Sequence, residues 1–341
     1  MEGHGIRRIR IAQIGTSRYS HGSEIFGSLK KQSALFDIAG YTLPQGEREL
    51  CPERTAVFDG YCELSLQEIL EDPSIEAVTV ETEEPYLTRY ARLAAEHGKH
   101  IHMEKPGGTD LAAFERLIAT VKAQGTVFHT GYMYRYNPVI QQLLAQVRQG
   151  EFGQILRVEA QMDCHHTKEM RQWLEKFPGG MLFFLGCHLL DLVLQIQGMP
   201  QAVLPLSYST GLDGLHSRDV GMALLQYPTG LSLIHTSAVD VGGYAMRRLV
   251  ITGTKATAAV QPLEMLTPGG MYTDWCIYRN AADWSNRGEQ HRSAEFDRYD
   301  GMMAAFAGYI AGDTANPYSP DYELQLYRLL QRCCGKDGDE K

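Results

Sequence analysis

The sequence predicts an α/β chain: an N-terminal doubly wound parallel sheet, then an α+β domain built on a large, mainly antiparallel open sheet. Three observations predict it. Short apolar runs alternate with helical stretches over about the first 130 residues, the pattern of repeated β-α-β crossovers. Beyond residue 150 strand-like segments instead follow one another through turns, as in antiparallel sheets. At 341 residues the chain also exceeds what a single core usually fills, so two domains are expected. Their boundary is set at 1–133 and 134–341, with the closing helices able to pack back on the first domain.

Taken in order, residues 9–15 are an apolar run ending in glycine, 24–31 a helical stretch and 36–43 a second strand, which together make a βαβ opening. A helix over 65–71, a strand over 77–80, a helix over 86–97, a strand over 99–103, a helix over 111–124 and a strand over 126–131 continue it. After Asn137-Pro138 a helix runs to Gln149 and Gly150 closes it. The segments 155–162, 202–209, 220–227, 231–239, 247–252 and 256–260 carry alternating or β-branched residues. Tyr227-Pro228-Thr229-Gly230 reads as a hairpin turn. An apolar helix over 181–196 and a final pair over 302–311 and 322–333 interrupt the strands, and no internal repeat is visible.

Composition excludes several function classes. Hydrophobic residues make up 44% of the chain, and the formal charge is -9 without a long Lys/Arg block. This argues against nucleic acid or an anionic membrane as partner and favours small uncharged substrates. No stretch approaches the roughly 20 apolar residues that span a bilayer, and the opening segment lacks the apolar core of a signal peptide, so a cytoplasmic location is expected. Seven cysteines without a CxxC pair read as reduced thiols rather than zinc or redox sites.

Five groups of residues are candidates for chemistry. Glu104-Lys105-Pro106 follows the strand over 99–103, and such a strand delivers its next residues to the carboxyl edge of the sheet, where open α/β folds bind ligands. A lysine there is a candidate proton-transfer group; the alternative is a solvated pair capping the strand. The turn Gly15-Thr16-Ser17-Arg18-Tyr19-Ser20-His21-Gly22 stands where a dinucleotide fold cradles pyrophosphate. The spacing GxGxxG would place glycines at 15, 17 and 20, and Ser17 and Ser20 take the last two positions. Backbone N–H groups at a helix start still suit a phosphate, with the hydroxyls of Thr16, Ser17 and Ser20 and the charge of Arg18 to assist. The second strand ends Tyr41-Thr42-Leu43-Pro44, and Glu47 and Arg48 beyond it leave NAD and NADP both open.

In the second half, His188 and Asp191 lie three apart on an apolar helix, so a carboxylate could orient an imidazole; the plainer reading is a hydrogen-bonded core histidine. Tyr134-Arg135-Tyr136-Asn137-Pro138 offers rings and a guanidinium that suit a polyhydroxylated ligand, or else a packed domain junction. Asp163-Cys164-His165-His166 ends the first strand of the second domain. Adjacent histidines on an extended segment point to opposite faces, so lining a cleft is favoured over a metal site and no metal is expected.

Glu104-Lys105-Pro106, Tyr134-Arg135-Tyr136-Asn137-Pro138 and Gly179-Gly180 with His188-Leu189-Leu190-Asp191, in this order over nearly the whole chain, resemble the Gfo/Idh/MocA family of oxidoreductases. The tail over 306–310 and 322–330 resembles that family's closing helices. The resemblance implies an N-terminal Rossmann domain that binds NAD or NADP. It also implies a C-terminal domain for substrate and for assembly, as a dimer or tetramer, through its open sheet. The implied reaction is oxidation or reduction of a CH–OH group of a sugar, polyol or related hydroxy compound. By motif, Lys105 and His188, with Asp191, would be catalytic. Gly15, Thr16, Ser17, Arg18, Ser20, Thr82, Glu104 and Pro106 would bind the cofactor, and Tyr134, Arg135, His165 and Trp173 would meet the substrate. The chain departs from the family pattern at Phe184, where an aspartate usually stands four residues before the histidine. It departs again at Thr82-Glu83 and Leu87, in place of Thr-Pro and a following histidine. Two further readings stay open: an enzyme that retains its nicotinamide and cleaves glycosides by transient oxidation and elimination, and a non-catalytic dinucleotide- or sugar-binding regulator.

Overall fold

In a computed structural model that describes residues 7–279 and 284–336, the chain divides into two compact units. One holds the residues up to Tyr132 together with Tyr299–Gln325, the other Met133–Arg298 and the residues from Leu326 on. The first unit opens with β1 (Ile9–Ile14), α1 (Gly22–Lys31), β2 (Phe36–Thr42), α2 (Glu47–Leu50) and α3 (Leu66–Glu71). It continues with β3 (Ala77–Val80), α4 (Glu84–Glu96), β4 (His100–Met103), α5 (Leu111–Gln124) and β5 (Phe128–Thr130). All five strands are parallel, in the order β2-β1-β3-β4-β5. The connections change direction at β1, so the carboxyl ends of β1 and β3 flank the crevice where such sheets take ligands.

Local chemistry sets where the helices begin and end. Ser65 accepts from the Glu68 N–H while the Glu68 carboxylate accepts from the Ser65 N–H, a reciprocal cap that starts α3. Asp110 caps α5 through the Ala113 N–H. The apolar side of α1, with Ile25, Phe26 and Leu29, turns inward.

The second unit starts with α6 (Pro138–Arg148), whose cap Asn137 accepts from the N–H groups of Val139 and Ile140. There follow β6 (Ile155–Asp163), α7 (Lys168–Trp173), α8 (Met181–Phe184), α9 (Gly186–Gln197), β7 (Ala202–Tyr208), β8 (Val220–Tyr227), β9 (Gly230–Ser237) and α10 (Gly243–Met246). Then come β10 (Arg248–Gly253), β11 (Thr257–Val260), β12 (Met265–Thr267), β13 (Gly270–Tyr272), β14 (Asp274–Tyr278) and β15 (Glu289–Arg292). Eight strands form one sheet in the order β15-β14-β11-β10-β6-β9-β8-β7. Its pairings are antiparallel except that β6 and β9 run parallel. The predicted hairpin closes with Tyr227 opposite Gly230. The almost wholly buried α9 packs on β6 and β9, whereas Leu204, Leu206 and Tyr208 of β7 and Leu231 of β9 are exposed.

The chain closes with α11 (Asp300–Ala311) and α12 (Pro320–Cys333). In the first unit, α11 covers a sheet face that is polar. Gln13, Thr79, His102 and His129 stand in register on β1, β3, β4 and β5, and all four are buried. Thr79 donates to Gln13, and the Nδ1 atoms of His102 and His129 lie 2.8 Å apart, close enough that one must donate to the other. Phe306 of α11 stacks on the His129 ring at 5.3 Å. Among the described residues no helix is long and apolar enough to cross a membrane.

Three local features differ from the sequence reading. The helix expected over 181–196 is divided at Leu185 into α8 and α9. The α7 turn is too short to show a helical period. The strands β12 to β15 are short, and β15 is Glu-Gln-His-Arg with every residue exposed, so it carries no apolar alternation to read.

Gly180 has φ +52° and ψ -112°, and a Cβ there would lie 2.4 Å from the Arg218 carbonyl oxygen. Gly180→Ala should therefore lower stability by about 1–3 kcal/mol, read as a reduced midpoint in urea denaturation.

Candidate functional site

The turn after β1 is shaped by one glycine and several polar side chains. Gly15 has φ +85°, and a Cβ there would lie 2.4 Å from Thr82 Cγ2, so only glycine lets the chain pass the end of β3. The Gln13 amide donates to the carbonyls of Gly15 and Gly22, each at 3.0 Å, and ties the two ends of the turn together from beneath. Ser17 and Ser20 bond reciprocally: each backbone N–H donates to the other's hydroxyl, at 3.0 and 3.1 Å. Glu47 accepts from the Thr16 N–H at 3.2 Å, and burial pushes its carboxyl up to about 8. These acceptors satisfy donors that a phosphate uses in such turns. Arg18 reaches the Leu50 carbonyl at 2.8 Å and Glu53 at 3.5 Å, while Arg48 bonds the Tyr41 hydroxyl and Glu63.

This turn fits a dinucleotide. It offers a glycine at positive φ, the buried hydroxyl residues Thr16, Ser17 and Ser20, the start of α1, and a Glu47 carboxyl that burial keeps protonated near neutral pH and so does not oppose an anion. NAD or NADP would be held here by the segment 15–20 and Thr82.

Beyond β4, the Lys105–Pro106 bond is cis and Lys105 is buried. The Lys105 N–H donates to Glu104 Oε1 at 2.9 Å, and its Nζ lies 4.0 Å from the same oxygen. The other oxygen, Oε2, accepts from the His21 N–H at 3.1 Å and lies 2.8 Å from His21 Nδ1. Burial pushes the Glu104 carboxyl up, but the charge and hydrogen bonds of His21, then the charge of Lys105, outweigh it and hold it at about 2. Two more carboxyls are buried close by. Burial and then the Glu104 charge raise Glu81 well above the carboxylate range. Burial lifts Glu84 to about 8 against the pull of Lys105. Around Lys105, then, one carboxyl is held low and two are pushed up. His102, 3.5 Å from Glu81, is pushed down to about 4 by burial and is neutral.

In the second unit the Arg135 guanidinium grips Asp191 with two parallel bonds, Nε to Oδ2 at 3.0 Å and Nη2 to Oδ1 at 2.8 Å. Gln195 donates to the same carboxylate at 2.9 Å. Tyr134 donates to Glu264 at 3.0 Å, which also accepts from Arg247 at 3.0 Å and Arg298 at 2.6 Å. Burial, with Glu264 beside it, holds the Tyr134 phenol far above its usual range. The Tyr134 ring meets His188 edge-on at 5.7 Å, so one short turn braces both His188 and Asp191 of α9. Trp173 packs edge-on against Phe177 and Phe184 at 4.6 and 5.2 Å, which gives Phe184 an aromatic role where the family pattern has an acid.

The structure therefore gathers Gly15, Thr16, Ser17, Ser20, Thr82, Glu104 and Lys105 in the first unit, with Arg18 at the rim. In the second it gathers Tyr134, Arg135, His188 and Asp191. Trp173 sits in the aromatic cluster, and His165 is exposed while its neighbour His166 is half-buried, the alternation of an extended segment. Among the described residues no group of three or more His, Cys, Asp or Glu is placed to hold a metal ion. Sequence reasoning missed Gln13, His21, Glu81 and Glu84. Of these, Gln13 left a signal, as a polar residue inside the apolar run of β1.

The description of an oxidoreductase family with an NAD-binding Rossmann fold matches residues 9–132, and that of a GFO/IDH/MocA C-terminal domain matches 140–259. The chain is 25% identical over 217 residues to trans-1,2-dihydrobenzene-1,2-diol dehydrogenase of Bos taurus, covering 60% of this chain and 62% of that enzyme's length. It is similar in structure to KijD10, a 3-ketoreductase from Actinomadura kijaniata solved in complex with NADP and TDP-benzene, with TM-score 0.77, 18% identity, and 95% and 96% of the two chains covered. It is also similar to UDP-N-acetylglucosamine 3-dehydrogenase GnnA from Acidithiobacillus ferrooxidans, with TM-score 0.76, 20% identity, and 97% and 98% covered. At these identities the structural likeness establishes the fold.

Two outcomes test the electrostatics. Arg135→Met leaves Asp191 buried without its main partner and should cost about 3–5 kcal/mol, while Arg135→Met combined with Asp191→Leu should recover most of that loss; denaturant titration of the three proteins measures it. Glu47 ionises near 4.5 in an unfolded chain and near 8 when folded, so the unfolded state sheds its proton first and stability falls as pH rises through that window. Glu47→Gln removes the fall, so its stability relative to wild type should climb by up to about 1.4 kcal/mol per pH unit between those values, in titrations repeated across the range.

Proposed function

The chain belongs to the Gfo/Idh/MocA family of NAD(P)-dependent oxidoreductases, and from that membership we propose that it is a cytoplasmic dehydrogenase or reductase acting on a CH–OH group of a sugar, polyol or related hydroxy compound. The observation that carries the reading is Lys105: a buried lysine just past the carboxyl end of β4, in the same unit as a turn that fits a dinucleotide, with Glu104 Oε1 4.0 Å from its Nζ. NAD or NADP, when bound, supplies the hydride acceptor or donor. The chain's own residues must then handle the hydroxyl proton and hold the substrate still.

Lys105 Nζ is proposed to take the hydroxyl proton in oxidation and return it in reduction, with Glu104 fixing the position of the amine. His188 is the proposed second participant in proton transfer. Tyr134 and Arg135 spend their polar groups on Glu264 and Asp191, so we assign them to holding His188 and α9 in place. His165 and Trp173 are the proposed substrate contacts. The named relatives act on a dihydrodiol and at position 3 of a sugar nucleotide, which supports a secondary alcohol on a ring as the substrate. The exposed Leu204, Leu206, Tyr208 and Leu231 support assembly as a dimer or tetramer through the open sheet face.

A second reading, a dinucleotide- or sugar-binding regulator without turnover, draws on Phe184 and on the internally satisfied turn. One experiment separates them. Wild type is expected to change nicotinamide absorbance on a panel of polyols, sugars and sugar nucleotides, and Lys105→Met to lose about 10²–10⁴-fold in turnover while still being protected by dinucleotide against thermal unfolding. Undiminished turnover in Lys105→Met sinks the assigned role, and dinucleotide binding without turnover across the panel supports the regulator.

A further inference from the structure

We propose that the second unit carries a binding site for a small organic phosphate, in a cavity walled by the segment 174–179, the strap 216–218 and the residues that follow α12. The inference goes beyond the dehydrogenase reading above and does not depend on it. All the lining residues belong to this one unit. The cavity holds about 600 Å³, within the range of sites that take metabolite-sized ligands. Its lining brings Lys176, His216, Arg218 and Lys336 together with a single acid, Glu175. On a chain whose formal charge is -9, such a local concentration of positive charge draws in a multiply charged anion.

The one acid is already engaged, since Glu175 Oε1 accepts from the His216 N–H at 2.7 Å. Among the described residues neither Arg218 nor Lys336 is paired with a carboxylate. Burial pushes the Cys334 thiol of the cavity wall well above its ordinary range, against the pull of the Lys336 and Arg218 charges. The thiol therefore adds no negative charge, and both cations lie near the same wall. Where α12 ends beside the cavity, the Gly335 and Lys336 N–H groups bond the carbonyls of Arg332 and Gln331, so the acceptors of the helix end are occupied from within.

The strap is fixed before a ligand arrives. The Arg218 carbonyl accepts from the Met181 N–H at 2.9 Å, and its neighbours Ser217 and Asp219 are buried. Asp219 accepts from the Thr210 N–H and hydroxyl at 2.8 and 2.7 Å. A guanidinium that springs from so anchored a backbone loses less freedom when it closes on a phosphate, whose oxygens its fork matches in pairs. The rest of the lining is largely apolar, with Leu174 and Phe177 buried and Pro178 half-buried. Cations beside an apolar wall suit a phosphate that carries an organic group better than the bare ion.

Calorimetric titration of the full chain with glucose 6-phosphate and with inorganic phosphate, in a low-salt buffer free of phosphate, tests the site. Wild type should bind glucose 6-phosphate with a Kd below about 1 mM, and more tightly than inorganic phosphate. Arg218→Gln should weaken glucose 6-phosphate about tenfold, and Arg218→Gln with Lys336→Gln about a hundredfold. Both side chains are exposed, so the variants should keep the wild-type midpoint in urea. Arg18→Gln, at the dinucleotide turn, should bind glucose 6-phosphate as wild type does. Wild type that binds neither probe, Arg218 variants that bind as tightly as wild type, a loss confined to Arg18→Gln, or inorganic phosphate bound as tightly as glucose 6-phosphate each overturn the inference. None of these measurements involves turnover, so the dehydrogenase reading stands or falls on its own test.

Discussion

The first unit turns on one buried carboxylate. A charge as deeply buried as Glu104 is tolerated only where its partners outweigh the loss of water, and here those partners come from different elements. His21 stands at the start of α1 and Lys105 follows in the loop beyond β4, so the carboxylate fixes the phosphate turn and the lysine against each other. The parallel sheet makes this possible, because the carboxyl ends of β1, β3 and β4 all emerge on the same edge. A second consequence follows from the crowding of acids there. Burial first, and the Glu104 charge after it, pushes the Glu81 and Glu84 carboxyls up, so the three acids do not ionise alike.

The second unit solves a similar problem with a different cation. Arg135 is planar and always charged, and its fork matches the two oxygens of Asp191. That pairing fixes a helix rather than presenting a reactive amine. Tyr134, on the same short turn, uses its hydroxyl on the Glu264–Arg247–Arg298 cluster and its ring on His188. The residues nearest to His188 and Asp191 in this unit are therefore structural in their polar contacts.

What the sequence made legible follows from the range of the interactions involved. Alternation of apolar runs and helices is a local property, and it located both sheets and nearly every long helix. The Glu104-Lys105-Pro106 tripeptide was legible because strand and loop are adjacent. The His21–Glu104 contact spans 83 residues and leaves no mark at either end. The register of His102 with His129 depends on which strands become neighbours, which no periodicity specifies. Phe184 was visible as a departure from the family pattern, but its edge-on packing against Trp173 depends on how α7 and α8 come together, which the sequence does not show. The segment 134–138 showed its rings and guanidinium plainly, but the pairing of Arg135 with Asp191 and of Tyr134 with Glu264 spans 56 and 130 residues and leaves no local mark.

The phosphate turn shows what a glycine fingerprint encodes. Its first glycine answers a steric demand: at Gly15 a Cβ would collide with Thr82, and no other side chain removes that collision. The glycines expected at 17 and 20 answer a softer one, close backbone approach and an uncluttered helix start. Small hydroxyl residues can meet that demand by folding their side chains back onto the turn, as Ser17 and Ser20 do through reciprocal bonds. The curvature that two glycines would have permitted is here enforced, with Gln13 clamping both ends from below. The serines at 17 and 20 therefore mark a turn held by side chains in place of backbone freedom, and the demand that remains for glycine is the one at Gly15 that sterics alone impose.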